Sequence, residues 1–462
     1  MNRELLEGDL AEMPDDSPLA VKQSLRGRAA GAFVIGLSLF LVVRFFRLIN
    51  QYAVDVPFQD HWRFYFVLAD HPSLWTLFTL QHGPHRMGLG MLVSRILSRA
   101  TRWNMRAESF AFGGFLTAAT AIALLLKRRL FGALAWYDAA IPLFLLTPAQ
   151  WKAWVPTPIP AVEAIPQFLL MVYALAFTIK RTGLRCLCIG TITFLGLFTG
   201  FGLFLGPVTV GLSVLHLAGA VRRRDKRDAI LISVTCVAAM GMALLFLVGY
   251  RFNPGAPGFV FPYPHPGLYP YAMALVMARA CGLLGTDWPV AIAGGLVMAA
   301  AAAAWVWHIR RAGALRARSV VIVALISFTL LYVANVVVAR IGEGLADVSD
   351  SHYVTLTAPC LLAIYLACLD INGRRLRTAC VAVLLLTAAY SGLLVKNADR
   401  DAMKWYADGK TKWIQTYRAT LRIDLANQAA GFPVHKNVVN VQLQSKLDYL
   451  REHHLSFFRN SP

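Results

Sequence analysis

The sequence VDVPFQDHWRFYF (residues 54–66) lies inside a long polar interruption between two strongly apolar runs, residues 29–49 and 108–126. A second polar motif, QHGPHR (residues 81–86), falls within the same interruption, which covers residues 50–107. A helix needs about 20 apolar residues to cross the roughly 30 Å hydrocarbon core of a bilayer. The sequence therefore predicts two membrane spans joined by a long loop at the membrane surface.

The composition extends this prediction to the whole chain. Of the 462 residues, 57% are hydrophobic and 15% are charged, whereas soluble proteins carry about 25% charged residues. We therefore expect an all-α polytopic membrane protein with about eleven spans, give or take two. The predicted spans are residues 29–49, 108–126, 132–147, 163–179, two within 184–221, 230–250, 288–307, 319–338, 354–369 and 378–395. Residues 271–285 are too few for a crossing and are expected to form a half-helix.

The distribution of positive charge predicts the orientation of these spans. The formal net charge is +20, and basic clusters stand at the ends of alternate apolar runs, at residues 127–129, 180–181, 222–224, 310–311 and 374–375. Such clusters stay on the cytoplasmic side, so the N-terminus is expected inside and the first loop outside. Nucleic-acid binding is not expected, because no basic helix with interleaved aromatic residues lies outside the predicted spans.

Three regions follow from this topology. Residues 1–28 are expected to be a cytoplasmic tail, residues 29–395 a transmembrane module with its first outer loop at 50–107, and residues 396–462 a small periplasmic segment. The seven cysteines lie in or beside apolar runs, so no disulfide framework is expected. The sequence has no nucleotide-phosphate loop, Rossmann fingerprint, serine elbow or HExxH motif.

The first loop contains the leading catalytic candidates. Asp60, flanked by His61 and Trp62, could act as a general base that removes the proton of an acceptor hydroxyl. Asp55 could be a second carboxylate that shares a metal or a substrate hydroxyl. The alternative is that both are solvated loop acids, and spacing alone does not separate these interpretations.

The QHGPHR motif places His82, His85 and Arg86 just before an apolar, periodic segment. A guanidinium suits a phosphate because its planar fork donates two hydrogen bonds and stays charged. The two imidazoles could bind phosphate, or bind a metal together with Asp60. The alternative is that the histidines are surface residues and that Arg86 forms a structural ion pair.

Further cations near the predicted outer face are Arg279, Arg340 and His352, which precedes Tyr353. A charge inside an apolar segment is costly unless it faces a cavity or a partner, so Arg279 is a candidate ligand for a phosphate. For Arg340, the alternative is neutralisation by the acids at 343, 347 and 350.

The chain resembles the C-type glycosyltransferases, integral membrane enzymes that use polyprenyl-phosphate sugars as donors. The resemblance covers the overall architecture and is closest to bacterial proteins with a D-x-W segment and then an H-N-E-H-R-like segment in the first loop. Here these segments read Asp60-His61-Trp62 and His82-Gly83-Pro84-His85-Arg86. The chain departs from the pattern at Pro84, where a glutamate would stand, and at His352-Tyr353, where Arg-Tyr would stand.

This resemblance implies an inverting transfer in the bacterial inner membrane, with a site that faces the periplasm. Asp60 would deprotonate an acceptor glycan or lipid, and Arg86, with Arg340 or Arg279, would steady the leaving lipid phosphate. His61, Trp62, His82, His85, His352 and Tyr353 would complete the substrate site. A divalent metal is compatible with this pattern but not required by it. Two alternatives stay open: a polysaccharide ligase or polymerase, and a flippase or transporter for a lipid-linked substrate.

Overall fold

The computed structural model describes residues 18–255, 258–312 and 316–459. Most of the predicted cytoplasmic tail, residues 1–17, lies outside these ranges. The described chain is helical almost throughout, and its two strands form one hairpin, β1 (Gln81–His82) with β2 (His85–Arg86). The predicted all-α polytopic class is confirmed.

The helices follow one another with short connections. In chain order they are α1 (Pro18–Tyr52), α2 (His61–Phe64), α3 (Leu74–Thr79), α4 (Gly88–Thr101), α5 (Met105–Phe131), α6 (Ala140–Leu145), α7 (Ala164–Ala176), α8 (Thr182–Leu197), α9 (Leu205–Arg222), α10 (Lys226–Leu247), α11 (Leu268–Ala280), α12 (Trp288–Ala312), α13 (Ala317–Arg340), α14 (Leu345–Val348), α15 (Val354–Leu369), α16 (Arg374–Leu393), α17 (Asn397–Thr420), α18 (Ile423–Ala430) and α19 (Leu443–Glu452).

Within the described ranges, eight helices are long and apolar enough to cross a membrane. The predicted third, fourth and fifth spans form shorter helices: α6 has 6 residues, α7 has 13 and α8 has 16. The third span is shortest because 3-10 segments flank it at Trp136–Ala139 and at Pro148–Ala153, where a proline stands at the first position. The predicted half-helix is α11.

The centre of the bundle is formed by α13 and α15, which pack against each other. Both are buried along most of their length, whereas α10 and α12 expose most of their apolar side chains. Such an exposed apolar surface is what a bilayer covers. The last residue of α13, Arg340, and the residues just before α15 are therefore fixed at one end of the buried core.

The first loop and the C-terminal segment share a second hydrophobic core, separate from that of the spans. Trp62 and Tyr65 come from the loop, and Trp413, Tyr417 and Leu447 from the C-terminal segment. Aromatic side chains bury a large apolar area each. The loop is therefore held from outside the bundle by residues that lie more than 300 positions later in the chain.

Candidate functional site

Asp60 stands immediately before α2, and its side chain is 54% exposed. Its Oδ2 lies 3.4 Å from Nε2 of His82 on β1. The hairpin that carries His82 is fastened to the segment after α10, because the N–H of Arg251 donates to Oε1 of Gln81 over 2.9 Å, and Nε2 of Gln81 donates back to the Arg251 carbonyl over 2.7 Å. The structure thus brings two predicted site residues into direct contact at the surface.

The charges around Asp60 keep it ionised. Partial burial raises the pKa of this carboxyl, but the hydrogen bond and charge of His82, with His61 and Arg63, outweigh burial and lower the pKa to about 2. An ionised carboxylate that is open to solvent can accept a proton from a hydroxyl within hydrogen-bond reach. Asp60 therefore has the charge and the access that a general base needs.

Two more side chains interact electrostatically with Asp60 from distant parts of the chain, and of these two Arg340 is the cation. The guanidinium of Arg340 interacts electrostatically with the Asp60 carboxylate and pairs with Oε1 of Glu343 over 2.8 Å. His435, in the C-terminal segment, also interacts with Asp60, while its Nδ1 accepts a hydrogen bond from the N–H of Asn437 over 3.0 Å. The sequence analysis missed His435, which has no motif around it to mark it.

His85 is buried opposite His82 in the hairpin, and neither of its ring nitrogens has a hydrogen-bond partner among the described residues. Burial lowers the pKa of His85 to about 3, so the imidazole is neutral. Its ring packs on Phe201, whose N–H donates to the Val162 carbonyl over 3.2 Å. The backbone at residue 200 can pack this closely against residues 161 and 162 only because it is glycine. Gly200 has φ of +51°, and a Cβ there would lie 2.1 Å from the Ala161 carbonyl oxygen.

A cleft of about 280 Å³ is lined in part by the residues just before α15. Nη2 of Arg279 donates to Oδ1 of Asp399 over 2.7 Å, and the buried Nη1 has no partner among the described residues. Lys152 pairs with Asp350 at the same cleft. The lining residues are Trp151, Lys152, Leu275, Arg279, Leu283, Leu284, Gly285, Thr286, Ala346, Ser349, Asp350 and Ser351.

His352 and Tyr353 directly follow Ser351, which lines this cleft. Nδ1 of His352 lies 3.3 Å from Oδ1 of Asp350, and its ring centroid is 3.8 Å from that of Tyr353. Tyr353 is buried and interacts electrostatically with both Arg340 and Asp350. Both predicted residues thus lie beside Asp350 of the cleft, and His352 is the more accessible of the two.

His61 and Trp62 hold the loop rather than face a substrate. The His61 ring is buried, its Nδ1 accepts from the N–H of Phe58 over 3.3 Å, and Nε2 donates to the Pro158 carbonyl over 2.9 Å. Burial lowers the pKa of His61 to about 4, so it is neutral. Trp62 is fully buried and stacks on Phe66. Both of these side chains are buried, whereas the side chain of Asp60 is exposed.

The predicted phosphate ligand Arg86 is hydrogen-bonded to backbone carbonyls. Its Nε and Nη2 donate to the Phe246 carbonyl over 3.1 and 2.8 Å, Nη2 also donates to the Val248 carbonyl over 2.5 Å, and Nη1 donates to the Thr79 carbonyl. The last carbonyls of a helix have no partner within it and carry partial negative charge. The guanidinium therefore caps the end of α10, a role that its own sequence neighbourhood does not reveal.

Asp55 is also a structural residue in this arrangement. It accepts hydrogen bonds from the N–H of Met105 over 2.8 Å and from Oγ of Ser456 over 3.2 Å, and it pairs with Nη2 of Arg459 over 2.7 Å. It joins the start of α5 to the C-terminal residues. Asp55, the expected second catalytic carboxylate, therefore binds other partners and takes no part in the Asp60–His82 contact.

The described residues contain no group of three or more His, Cys, Asp or Glu side chains placed to hold a metal ion. His82 and Asp60 lie in contact, with 3.4 Å between Nε2 and Oδ2, and both ring nitrogens of His85 are buried.

No protein-family model matches the chain, and no curated protein matches it. Among solved structures, the chain is similar to the crystal structure of ArnT from Cupriavidus metallidurans bound to undecaprenyl phosphate. The sequence identity is 15%, the similarity covers 91% of this chain and 77% of that chain, and the TM-score is 0.42.

Proposed function

We propose that the protein is an inverting membrane glycosyltransferase that moves a sugar from a polyprenyl-phosphate donor to a cell-envelope glycan or lipid at the outer face of the membrane. The observation that carries the proposal is the exposed, ionised carboxylate of Asp60, which contacts His82 and interacts electrostatically with the Arg340 guanidinium. A surface site on a helical bundle suits a donor whose tail lies in lipid and whose sugar lies in water.

In the proposed reaction, Asp60 takes the proton of the acceptor hydroxyl as that oxygen attacks the anomeric carbon of the donor sugar. The bond between this carbon and the phosphate oxygen breaks, and the lipid phosphate leaves with the electron pair. One displacement inverts the anomeric configuration. Negative charge grows on the phosphate in the transition state, so fixed cations lower the barrier.

Arg340 is the cation best placed to stabilise the leaving phosphate, because it acts on Asp60 and its side chain is 44% exposed. Arg279 is buried against Asp399, which already compensates its charge. Its unpartnered Nη1 and the apolar side chains Leu275 and Leu283 make the cleft suitable for a second part of an amphipathic substrate. Arg86 has no part in this proposal, because four of its five N–H donors bind backbone carbonyls.

The experiment is a product assay on the full chain reconstituted in lipid nanodiscs with a polyprenyl-phosphate sugar and cell-envelope acceptors. The proposal expects free polyprenyl phosphate and a new glycosidic product in equal amounts. A ligase or polymerase would move a whole glycan and tolerate the loss of the carboxylate. A flippase would move the lipid across vesicles and leave its sugar bond intact, which would contradict the proposal.

A further inference from the structure

The backbone just before Asp60 adopts an unusual conformation. Gln59 has φ of +48°, in the left-handed region that side chains other than glycine seldom adopt. Its N–H donates to the Val434 carbonyl over 2.8 Å, and its Nε2 donates to the Pro433 carbonyl over 3.4 Å. Such a conformation persists only where surrounding contacts impose it. Here both of those contacts come from the C-terminal segment.

The backbone just after Asp60 is held by the same segment. Nζ of Lys446 donates to the Trp62 carbonyl and lies 5.1 Å from the centroid of the Phe66 ring. The Phe432 ring packs edge-on against Phe58, with 5.6 Å between centroids. Asp60 thus stands between two anchored points, while its own carboxylate makes its contact with His82 and stays exposed.

We propose that residues 432–434 together with Lys446 form a clamp that aims the Asp60 carboxylate, with Lys446 as a positioning residue. The clamp fixes the backbone on both sides of one side chain, so it sets the direction in which that side chain points. The catalytic part of this inference rests on the proposed function of Asp60; the mechanical part does not.

The test compares full-chain Lys446→Met and Lys446→Arg with Lys436→Met, a matched change at an exposed lysine of the same segment. Hydrogen exchange measured by mass spectrometry follows the backbone of residues 57–66. In K446M we expect exchange there to rise about fivefold, as the loss of one hydrogen bond of ordinary net strength implies. K446R keeps a donor for the Trp62 carbonyl and should exchange like the wild type, and so should K436M.

Turnover of a polyprenyl-phosphate sugar gives the second readout. The clamp predicts that K446M lowers kcat about tenfold with KM little changed, because a base held less firmly spends less time in the reactive geometry. K446R should recover most of kcat. Phe432→Ala, which removes the packing on Phe58, should act in the same direction and provides a second variant if K446M folds poorly.

Unchanged exchange in both K446M and F432A would overturn the clamp, and so would raised exchange with unchanged kcat. A wild type that transfers no sugar would defeat the proposed function separately. Exchange of residues 57–66 would then still decide the mechanical claim, with a selective rise in K446M supporting it and equal rates in K446M and K436M contradicting it.

Discussion

Oδ2 of Asp60 and Nε2 of His82 lie 3.4 Å apart, although the two residues belong to separate elements of the first loop. The contact leaves the Asp60 side chain exposed and ionised, with a pKa of about 2. The contact is compatible with two general bases. Asp60 can remove the proton by itself, or it can orient His82, whose imidazole then removes the proton.

Replacing His82 separates these two roles. His82→Gln removes the charge that lowers the pKa of Asp60, so this pKa should rise from about 2 towards the ordinary value of 3.8. Asp60 works in its ionised form, so activity falls as pH falls through its pKa. In the wild type, protonation of Asp60 should cause no loss of activity above pH 4. In H82Q, the activity should begin to fall about one pH unit above the raised pKa of Asp60.

A pH–rate profile from pH 4 to pH 9 is the measurement for that change. If Asp60 is the base, H82Q at pH 7 should retain at least about a tenth of the wild-type kcat, since the carboxylate is still ionised there. A loss in H82Q as large as that in Asp60→Asn would assign the base to His82 instead.

Arg340→Gln should lower kcat about 100-fold with donor KM changed less, because a fixed cation near the developing charge acts mainly in the transition state. Arg422→Gln is the matched control, since Arg422 also pairs with a nearby acid but lies fully at the surface of the C-terminal segment. Steady-state kinetics with varied donor give both constants. Equal kcat values for R340Q and the control would remove Arg340 from the site.

Arg86→Gln should lower stability rather than donor affinity. The substitution leaves the Phe246 and Val248 carbonyls at the end of α10 without their charged donor, and an unsatisfied buried polar group costs about 1–3 kcal/mol. A thermal unfolding curve in detergent should shift to lower temperature, while KM for the donor changes less than twofold. An unshifted curve together with a tenfold higher KM would restore Arg86 as a phosphate ligand.

The side of the membrane on which Asp60 lies can be read by thiol labelling. Asp60→Cys should react with a membrane-impermeant maleimide in intact cells, whereas Asp225→Cys, in the exposed turn between α9 and α10, should react only after permeabilisation. Wild-type protein measures the background from the native cysteines. The reverse pattern would place the first loop in the cytoplasm.

Local sequence was sufficient for the long apolar helices and insufficient for the roles of several loop residues. Apolar runs predicted α1, α5 and α13 because span length depends only on neighbouring residues. The carbonyls that occupy Arg86 lie 160 and 162 positions away, and His435 reaches Asp60 from the far end of the chain. Lys127, part of a basic cluster expected on the cytoplasmic side, forms a buried ion pair with Asp138 over 2.7 Å that its neighbouring residues do not predict.

What could be predicted at the site was the exposed acid and its neighbouring histidine. Asp60 and His82 lie in polar motifs of one loop, so a surface position for both follows from composition. Asp55 looks equivalent in sequence, yet Arg459 and Ser456 take up its carboxylate. Only the tertiary contact with the C-terminal residues distinguishes the two acids.

The role of Asp60 as the general base is tested most directly by the turnover of Asp60→Asn. It is compared with that of Asp70→Asn, which changes an exposed acid of the same loop, in the full chain in nanodiscs. If Asp60 is the base, D60N should lose at least about 100-fold in kcat, the scale of general-base catalysis. Its unfolding temperature should be like that of the wild type, and D70N should keep full activity. A D60N protein that transfers sugar at the wild-type rate would contradict the central claim.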